Sequence, residues 1–393
     1  AGDQGAALLA RGKRGKATGA TRNTLSDTGA DFTEAAGETV QIIAGTGAGQ
    51  WAIVESVSSA TKITLDREWE AIPDTTSIYT VTGAWNTVLT LAQGAAKDVL
   101  VVDDIVYVIR GADHPMTRYR WTDTGGHESA DDGTNTADFM VEFRDEDNEP
   151  AIWRALGHEV SPASIEAWGA NLTFGTELRI GSNDSKITAL TIYDDHLYIC
   201  KEDGIYAIQD DIVRRVPVDF APLRSPYNGR GMTTWNLYLI FPLQQGLQRL
   251  YGTQVDDFGP NLGHGLPEGR QGPISEILPL PGLLLIAVDG GEDGTSSILA
   301  FNGLGWHEVV RANNTGRRIT SLYYEAMANG SGRLYWNERG DPYYVWMSGR
   351  TFDRTRDSRA DYTDTGTLTS AWLGTDLQDV EKLWRRVTII KER

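Results

Sequence analysis

The chain has 393 residues, of which 40% are apolar and 23% charged, with 12 Trp; this length calls for more than one domain, and this composition excludes intrinsic disorder. A formal net charge of −18 works against binding a nucleic-acid backbone, where Lys and Arg must displace counterions, and otherwise signals acidic solubility. A single cysteine, Cys200, excludes an intramolecular disulfide and any multi-cysteine metal site.

No run approaches the apolar length of a membrane span, and the start lacks the charged-then-apolar layout of a signal peptide. The expectation is a soluble product made in the cytoplasm, without membrane insertion. The chain opens without Met and ends at Arg393 after a strand-like run, which leaves room for a longer polypeptide.

Residues 1–16 read as a flexible basic arm. Arg11, Lys13, Arg14 and Lys16, with Arg22 just beyond, lie among glycines and suit docking onto an acidic neighbour. Ala6–Leu9 is one of two short helical candidates; Val380–Arg385 is the other.

Residues 17–83 form a small β module. Strand-like runs cover Thr39–Ala44, Trp51–Val57, Lys62–Leu65 and Ser77–Val81, separated by turn residues such as Gly45–Gly49 and Pro73-Asp74. The alternation of Trp51, Ile53 and Val57 is expected to set one face on a core. Gly45–Gly49 resembles a phosphate-cradling loop, but such a loop must open a helix, and a β pattern follows here; a hairpin turn is the better reading.

Residues 84–362 repeat at a period of about 44, which is the signature of propeller blades. The run from Lys97 (KDVLVVDDIVYVIRG) and the run from Ile187 (ITALTIYDDHLYICKEDGIYAIQ) each place two strands around a two-residue acidic turn, Asp103-Asp104 and Asp194-Asp195. Further copies begin at Gly231, Ile274 and Ile319, and a weaker one covers residues 139–182. The expected fold is all-β: a β-propeller of about six to seven blades preceded by the small module, with a sandwich or solenoid as the competing architecture. Residues 363–393, with strand-like runs at Leu368–Leu373 and Arg386–Ile390, either close the ring as a further partial blade or begin another β module.

No catalytic, cofactor-binding or metal residue is assigned, and the expectation is a chain that is not an enzyme. Carboxylates cluster at Asp131-Asp132, Asp145-Glu146-Asp147, Asp210-Asp211, Asp256-Asp257 and Asp289 with Glu292-Asp293. Such pairs could act on a glycoside or offer oxygens to calcium, yet they fall at hairpin turns, where Asp satisfies local backbone groups. The histidines at 114, 127, 158, 196, 264 and 307 show no ligand spacing. Cys200 lies in a strand pattern and reads as a small buried apolar group. The aromatics Trp235, Tyr238, Phe241, Tyr323, Tyr324, Tyr335, Trp336, Tyr343, Tyr344 and Trp346 could stack on sugars or anchor an interface, but most occupy strand positions that suit a core.

The first module, with T-L-S-D-T-G-A-D-F from Thr24, the G-T-G-A-G-Q turn, T-K-I-T-L-D from Thr61 and P-D-T-T-S-I-Y from Pro73, resembles a small β module of tailed-bacteriophage virion proteins. The ending L-T-S-A-W-L…V-E-K-L-W-R-R-V-T-I is similar to the rest of such tail proteins, in more generic terms. The resemblance implies a structural component of the virion tail, tail tip or host-attachment apparatus. The partners it implies are other virion proteins, further copies of the chain around a symmetry axis, and a host surface glycan or receptor. The alternative is a carbohydrate-binding or glycan-cleaving β-propeller. A bacterial surface interaction module is a third reading, weakened by the missing secretion signal.

Overall fold

A computed structural model describes residues 6–347, apart from 92–93, 123–126, 210–211, 220–222, 245, 253, 261–270, 313, 327–331 and 339. The described chain is all-β, and no helix in it is long and apolar enough to cross a membrane.

The N-terminal module is one seven-stranded sheet. Its strands are β1 (Ala6–Lys16), β2 (Gly19–Thr21), β3 (Thr24–Ser26), β4 (Thr39–Ala44), β5 (Trp51–Ser59), β6 (Lys62–Leu65) and β7 (Ile78–Leu91), in the order β1-β7-β4-β5-β6-β3-β2. It closes on its own core of Leu25, Phe32, Val40, Val54, Ile63, Trp69 and Tyr79. Two expectations are corrected here. Residues 6–16 are not a free arm: they pair antiparallel with β7, from Ala6 opposite Leu91 to Lys16 opposite Ile78, so the Ala6–Leu9 helical candidate is strand. A short uncapped helix has no tertiary reward, whereas a strand laid along β7 satisfies its backbone donors and acceptors. The module also runs past residue 83, because β7 continues to Leu91.

The face of β5 is also offset from expectation. Ala52 and Val54 are the buried pair, while Trp51 and Ile53 lie on the other face. Trp51 packs under the Arg67 guanidinium at 4.0 Å, an arrangement that keeps the large ring half-covered outside the core. A register shift between Val54 and Ser56 returns Val57 to the core side.

Six antiparallel sheets follow, and they are the blades expected from the repeats. Blade 1 has β8 (Asp98–Val102), β9 (Ile105–Ile109), β10 (Thr117–Trp121) and β11 (His127–Asp131). Blade 2 has β12 (Phe139–Arg144), β13 (Pro150–Leu156), β14 (Glu159–Ser164) and β15 (Leu178–Arg179). Blade 3 has β16 (Ile187–Tyr193), β17 (His196–Lys201), β18 (Gly204–Gln209) and β19 (Ile212–Asp219). Blade 4 has β20 (Thr233–Trp235), β21 (Tyr238–Leu243), β22 (Gly246–Tyr251) and β23 (Gln254–Gly259). Blade 5 has β24 (Ile274–Leu280), β25 (Leu283–Val288), β26 (Ser297–Phe301) and β27 (Trp306–Arg311). Blade 6 has β28 (Ile319–Ala326), β29 (Gly332–Glu338) and β30 (Asp341–Met347).

Cores lie between blades. Ile105, Tyr107 and Met140 join blades 1 and 2, Trp153, Ile187 and Ile199 join 2 and 3, and Cys200, Leu239 and Phe241 join 3 and 4. Trp235, Ile274 and Ile286 join 4 and 5; Leu285, Ile319 and Leu334 join 5 and 6. A sheet of four short strands cannot bury both faces alone, so each blade depends on its neighbours. The acidic hairpin turns sit where the repeats put them, with Asp103 at φ 50° and Asp194 and Asp195 at 46° and 62°. Left-handed backbone is what a two-residue hairpin needs, and Asp tolerates it. The runs at 368–373, 380–385 and 386–390, and the whole of 363–393, lie outside the described residues, as does 348–362.

Candidate functional site

The first strand of every blade is the innermost, since β8, β12, β16, β20, β24 and β28 lie against one another in succession. The chain therefore enters all six inner strands at the same end of the ring, and residues at those entries converge on its mouth. Asp98 stands at the head of β8. Its carboxylate accepts the Val99 N–H at 2.9 Å and, across the blade boundary, the Met140 N–H at 3.2 Å. Burial pushes its carboxyl above the ordinary range, against the pull of those two donors.

Glu276 lies near the head of β24, in a run that is otherwise apolar and Ser (ISEILPL). Its Oε1 accepts the Ile277 N–H at 3.2 Å. Gly231, at the entry to blade 4, faces the same oxygen so closely that a Cβ there would come within 2.9 Å of it. Burial pushes the Glu276 carboxyl up to about 7; the negative charge of Asp98 adds to the shift and Arg230 opposes it. Burial is the main cause of the Glu276 shift, which leaves that carboxyl poised to hold or release a proton near neutral pH.

Arg230, whose charge opposes the Glu276 shift, belongs to a further polar cluster. Arg318, which leads into β28, donates through Nε to Asp289 Oδ2 at 2.6 Å and through Nη2 to the Tyr227 hydroxyl. The Arg230 guanidinium lies 5.9 Å from the centre of the Tyr227 ring. Lys97 pairs with Asp138 at 2.7 Å, tying the entries of blades 1 and 2.

At the opposite end, the β12–β13 and β16–β17 hairpins of blades 2 and 3 enclose a polar cavity of about 260 Å³ with Trp153 as one wall. Arg144 spans it, ion-paired with Asp195 and donating to Asn148 Oδ1 at 2.7 Å. Asp145 is occupied by its own turn, accepting the N–H groups of Asp147 and Glu149 at 3.0 Å.

Several carboxylates of the other described acidic clusters are likewise spent on structure. Asp132 is fully buried 3.3 Å from Arg118 Nε and accepts the Leu172 N–H at 3.1 Å. Asp131 accepts from Thr117 Oγ1 at 2.9 Å. Asp257 caps the Gly259 N–H at 2.9 Å, and Asp256 lies 3.4 Å from Arg249. Asp289 takes Arg318 and the Gly291 N–H, with Glu292 and Asp293 exposed beside it. Asp210-Asp211 and His264 lie outside the described residues, and among the described residues no group of three His, Cys, Asp or Glu could hold a metal. Cys200 is wholly buried, and burial pushes its thiol up to about 12. Gly45, Gly47 and Gly49 turn the β4–β5 hairpin at positive φ, and a Cβ at Gly45 would run into the Thr76 carbonyl. Of the aromatics, Trp235, Phe241, Tyr335 and Trp336 are buried, while Tyr323 is 64% exposed.

Sequence reasoning passed over Asp98 and Glu276 because neither belongs to a carboxylate pair in the chain. The signal available was a lone carboxylate set in an apolar inner strand, where burial of charge is costly.

No family model and no curated protein matches the chain. Solved structures similar to it include virginiamycin B lyase from Staphylococcus aureus, 12% identical with a TM-score of 0.48, covering 82% of this chain and 97% of that one. A putative 6-phosphogluconolactonase from Bacteroides fragilis is 10% identical with a TM-score of 0.41, covering 80% and 98%. A protein from Lactobacillus plantarum is 12% identical with a TM-score of 0.44, covering 79% and 96%. Nothing about the chemistry of this chain follows from likeness at that level.

Proposed function

We propose that this chain is a structural component of a tailed-phage virion, in the tail, tail tip or host-attachment apparatus, acting through protein–protein contacts rather than catalysis. The observation that carries the reading is the module. Its phage-like segments T-L-S-D and T-K-I-T-L-D contain strands β3 and β6, which pair directly, Thr24 opposite Thr64, so the motif residues are the frame of a self-cored unit. The partners are other tail proteins and further copies of the chain, with a host glycan or receptor as a second contact; nucleic acid and membrane insertion are not part of the reading. The test is quantitative mass spectrometry of purified particles from the source. The reading expects the chain in a fixed copy number per particle; a stable monomer that never co-purifies with particles would sink it.

A second reading is a carbohydrate-binding or glycan-cleaving propeller, and Asp98 with Glu276 at the mouth favours it, since a carboxyl held near pH 7 suits a general acid. It expects turnover of host surface glycans that disappears in Glu276→Gln and Asp98→Asn. Absence of turnover by the unaltered protein removes the cleaving form of this reading.

A further inference from the structure

Five cores serve six blades, and the seam between blade 6 and blade 1 has none among the described residues. Alternation fixes what faces that seam. In β29, Leu334 and Trp336 pack toward blade 5, so Arg333 and Tyr335 point away from it, with Tyr323, Tyr344 and Trp346 on the same face by register. In blade 1, Ile105, Tyr107 and Ile109 pack toward blade 2, which leaves Val99 and Val101 of the inner strand on the far face, 49% and 60% exposed. Among the described residues the inner strands of blades 2–5 are held by apolar cores on both sides, and those of blades 1 and 6 on one side.

What blade 6 does hold is a charge from the module. Arg333 is wholly buried and ion-paired with Glu38, 295 residues away in sequence, just ahead of β4. Its guanidinium also lies 3.6 Å from Glu325 Oε2 and stacks 4.0 Å from the Trp346 ring centre. On the module side, Thr82 of β7 donates to Glu38 Oε2 at 2.6 Å. The same strand β7 ends at Leu91, and only residues 92–97 separate it from β8 of blade 1.

We propose that the N-terminal module is the clasp of the propeller ring: the Glu38–Arg333 pair fixes it to the last blade, and the short β7–β8 connection fixes it to the first. Arg333 is seated between Glu38 of the module and Glu325 and Trp346 of blade 6, and a buried guanidinium is costly to leave without its full set of partners, which makes the attachment specific. The ring then closes through a domain outside it. Among the described residues blades 1 and 6 share no strand, and there the module does the work a shared sheet would do.

Full-length protein carrying spin labels at Val101→Cys and Tyr323→Cys, one on each side of the seam, tests this by electron–electron distance measurement; Cys200 is buried and stays unlabelled. A control pair at Leu237→Cys and Leu304→Cys reports blades 4 and 5, where both positions are exposed. Glu38→Ala is expected to broaden the seam distribution and leave the control unchanged. An unchanged seam distribution, or equal broadening of both pairs, overturns the clasp. Should Glu38→Ala not fold, Glu38→Gln, which keeps the side-chain length, is read by the same criterion.

Discussion

Glu276 sits in an apolar inner strand with its carboxyl pushed to about 7, against an ordinary value of 4.5. Below pH 4.5 it is protonated in both the folded and unfolded chain. As pH rises from 4.5 to 7, the unfolded chain releases a proton that the folded one keeps, so stability falls and the loss is complete above about 7. The loss is on the order of 3 kcal/mol, with Asp98 adding to it and Arg230 relieving it. Glu276→Gln removes this titration. Urea unfolding at pH 5 and pH 8 is expected to show the unaltered protein weaker at pH 8 and the variant nearly level; parallel losses in both would contradict the assignment. Cys200 makes a second case at this scale. Its thiol, buried and pushed up to about 12, is expected to resist a thiol reagent at pH 8 until the protein unfolds. Gly229→Ala should break that protection, because Gly229 has φ 71° and a Cβ there would collide with Cys200 Sγ; the expected cost is about 2 kcal/mol or more. The burial of Cys200 was readable from its strand pattern. Its closeness to Gly229 was not, since that contact depends on how blade 4 leans on blade 3.

At the scale of the element, the blade hairpins follow from the chain itself. Asp103-Asp104 and Asp194-Asp195 announced their turns because Asp accepts left-handed backbone. The equivalent turn of blade 4 is Asn236-Leu237, at φ 47° and 70°, and Leu237 is 76% exposed. A Leu there bears a strain of about 1–2 kcal/mol, and glycine would relieve it at an entropic cost of about 0.5–1 kcal/mol. Leu237→Gly is therefore expected to stabilise the protein by about 0.5–1 kcal/mol, read as a higher denaturation midpoint with an unchanged slope; a lower midpoint would show that the turn is not strained. Strand β5 was legible as a strand but not in its facing. The larger Trp51 and Ile53 outweighed Ala52 and Val54 in the pattern, yet the core took the small pair and Arg67 covered the Trp. Strand β1 was not legible at all as a strand, because its partner β7 lies some seventy residues on in the chain and its Gly and basic residues carry little β signal of their own.

For the whole molecule, a repeat is the feature most easily read, because every blade solves the same packing problem and so keeps the same period. Six blades with inner strands starting at Asp98, Phe139, Ile187, Thr233, Ile274 and Ile319 match that reading. What no period could show is the pairing of Glu38 with Arg333, which joins blade 6 to the module, or the influence of the Asp98 charge on Glu276 from another blade. Both arise only when the circle is drawn. The proposed role in a virion rests on the module. Cryo-electron microscopy of particles from the source tests it most directly: the account predicts a six-bladed ring with a small β module at its edge, repeated on the tail about its symmetry axis. Particles whose tails are fully traced without this chain would contradict it.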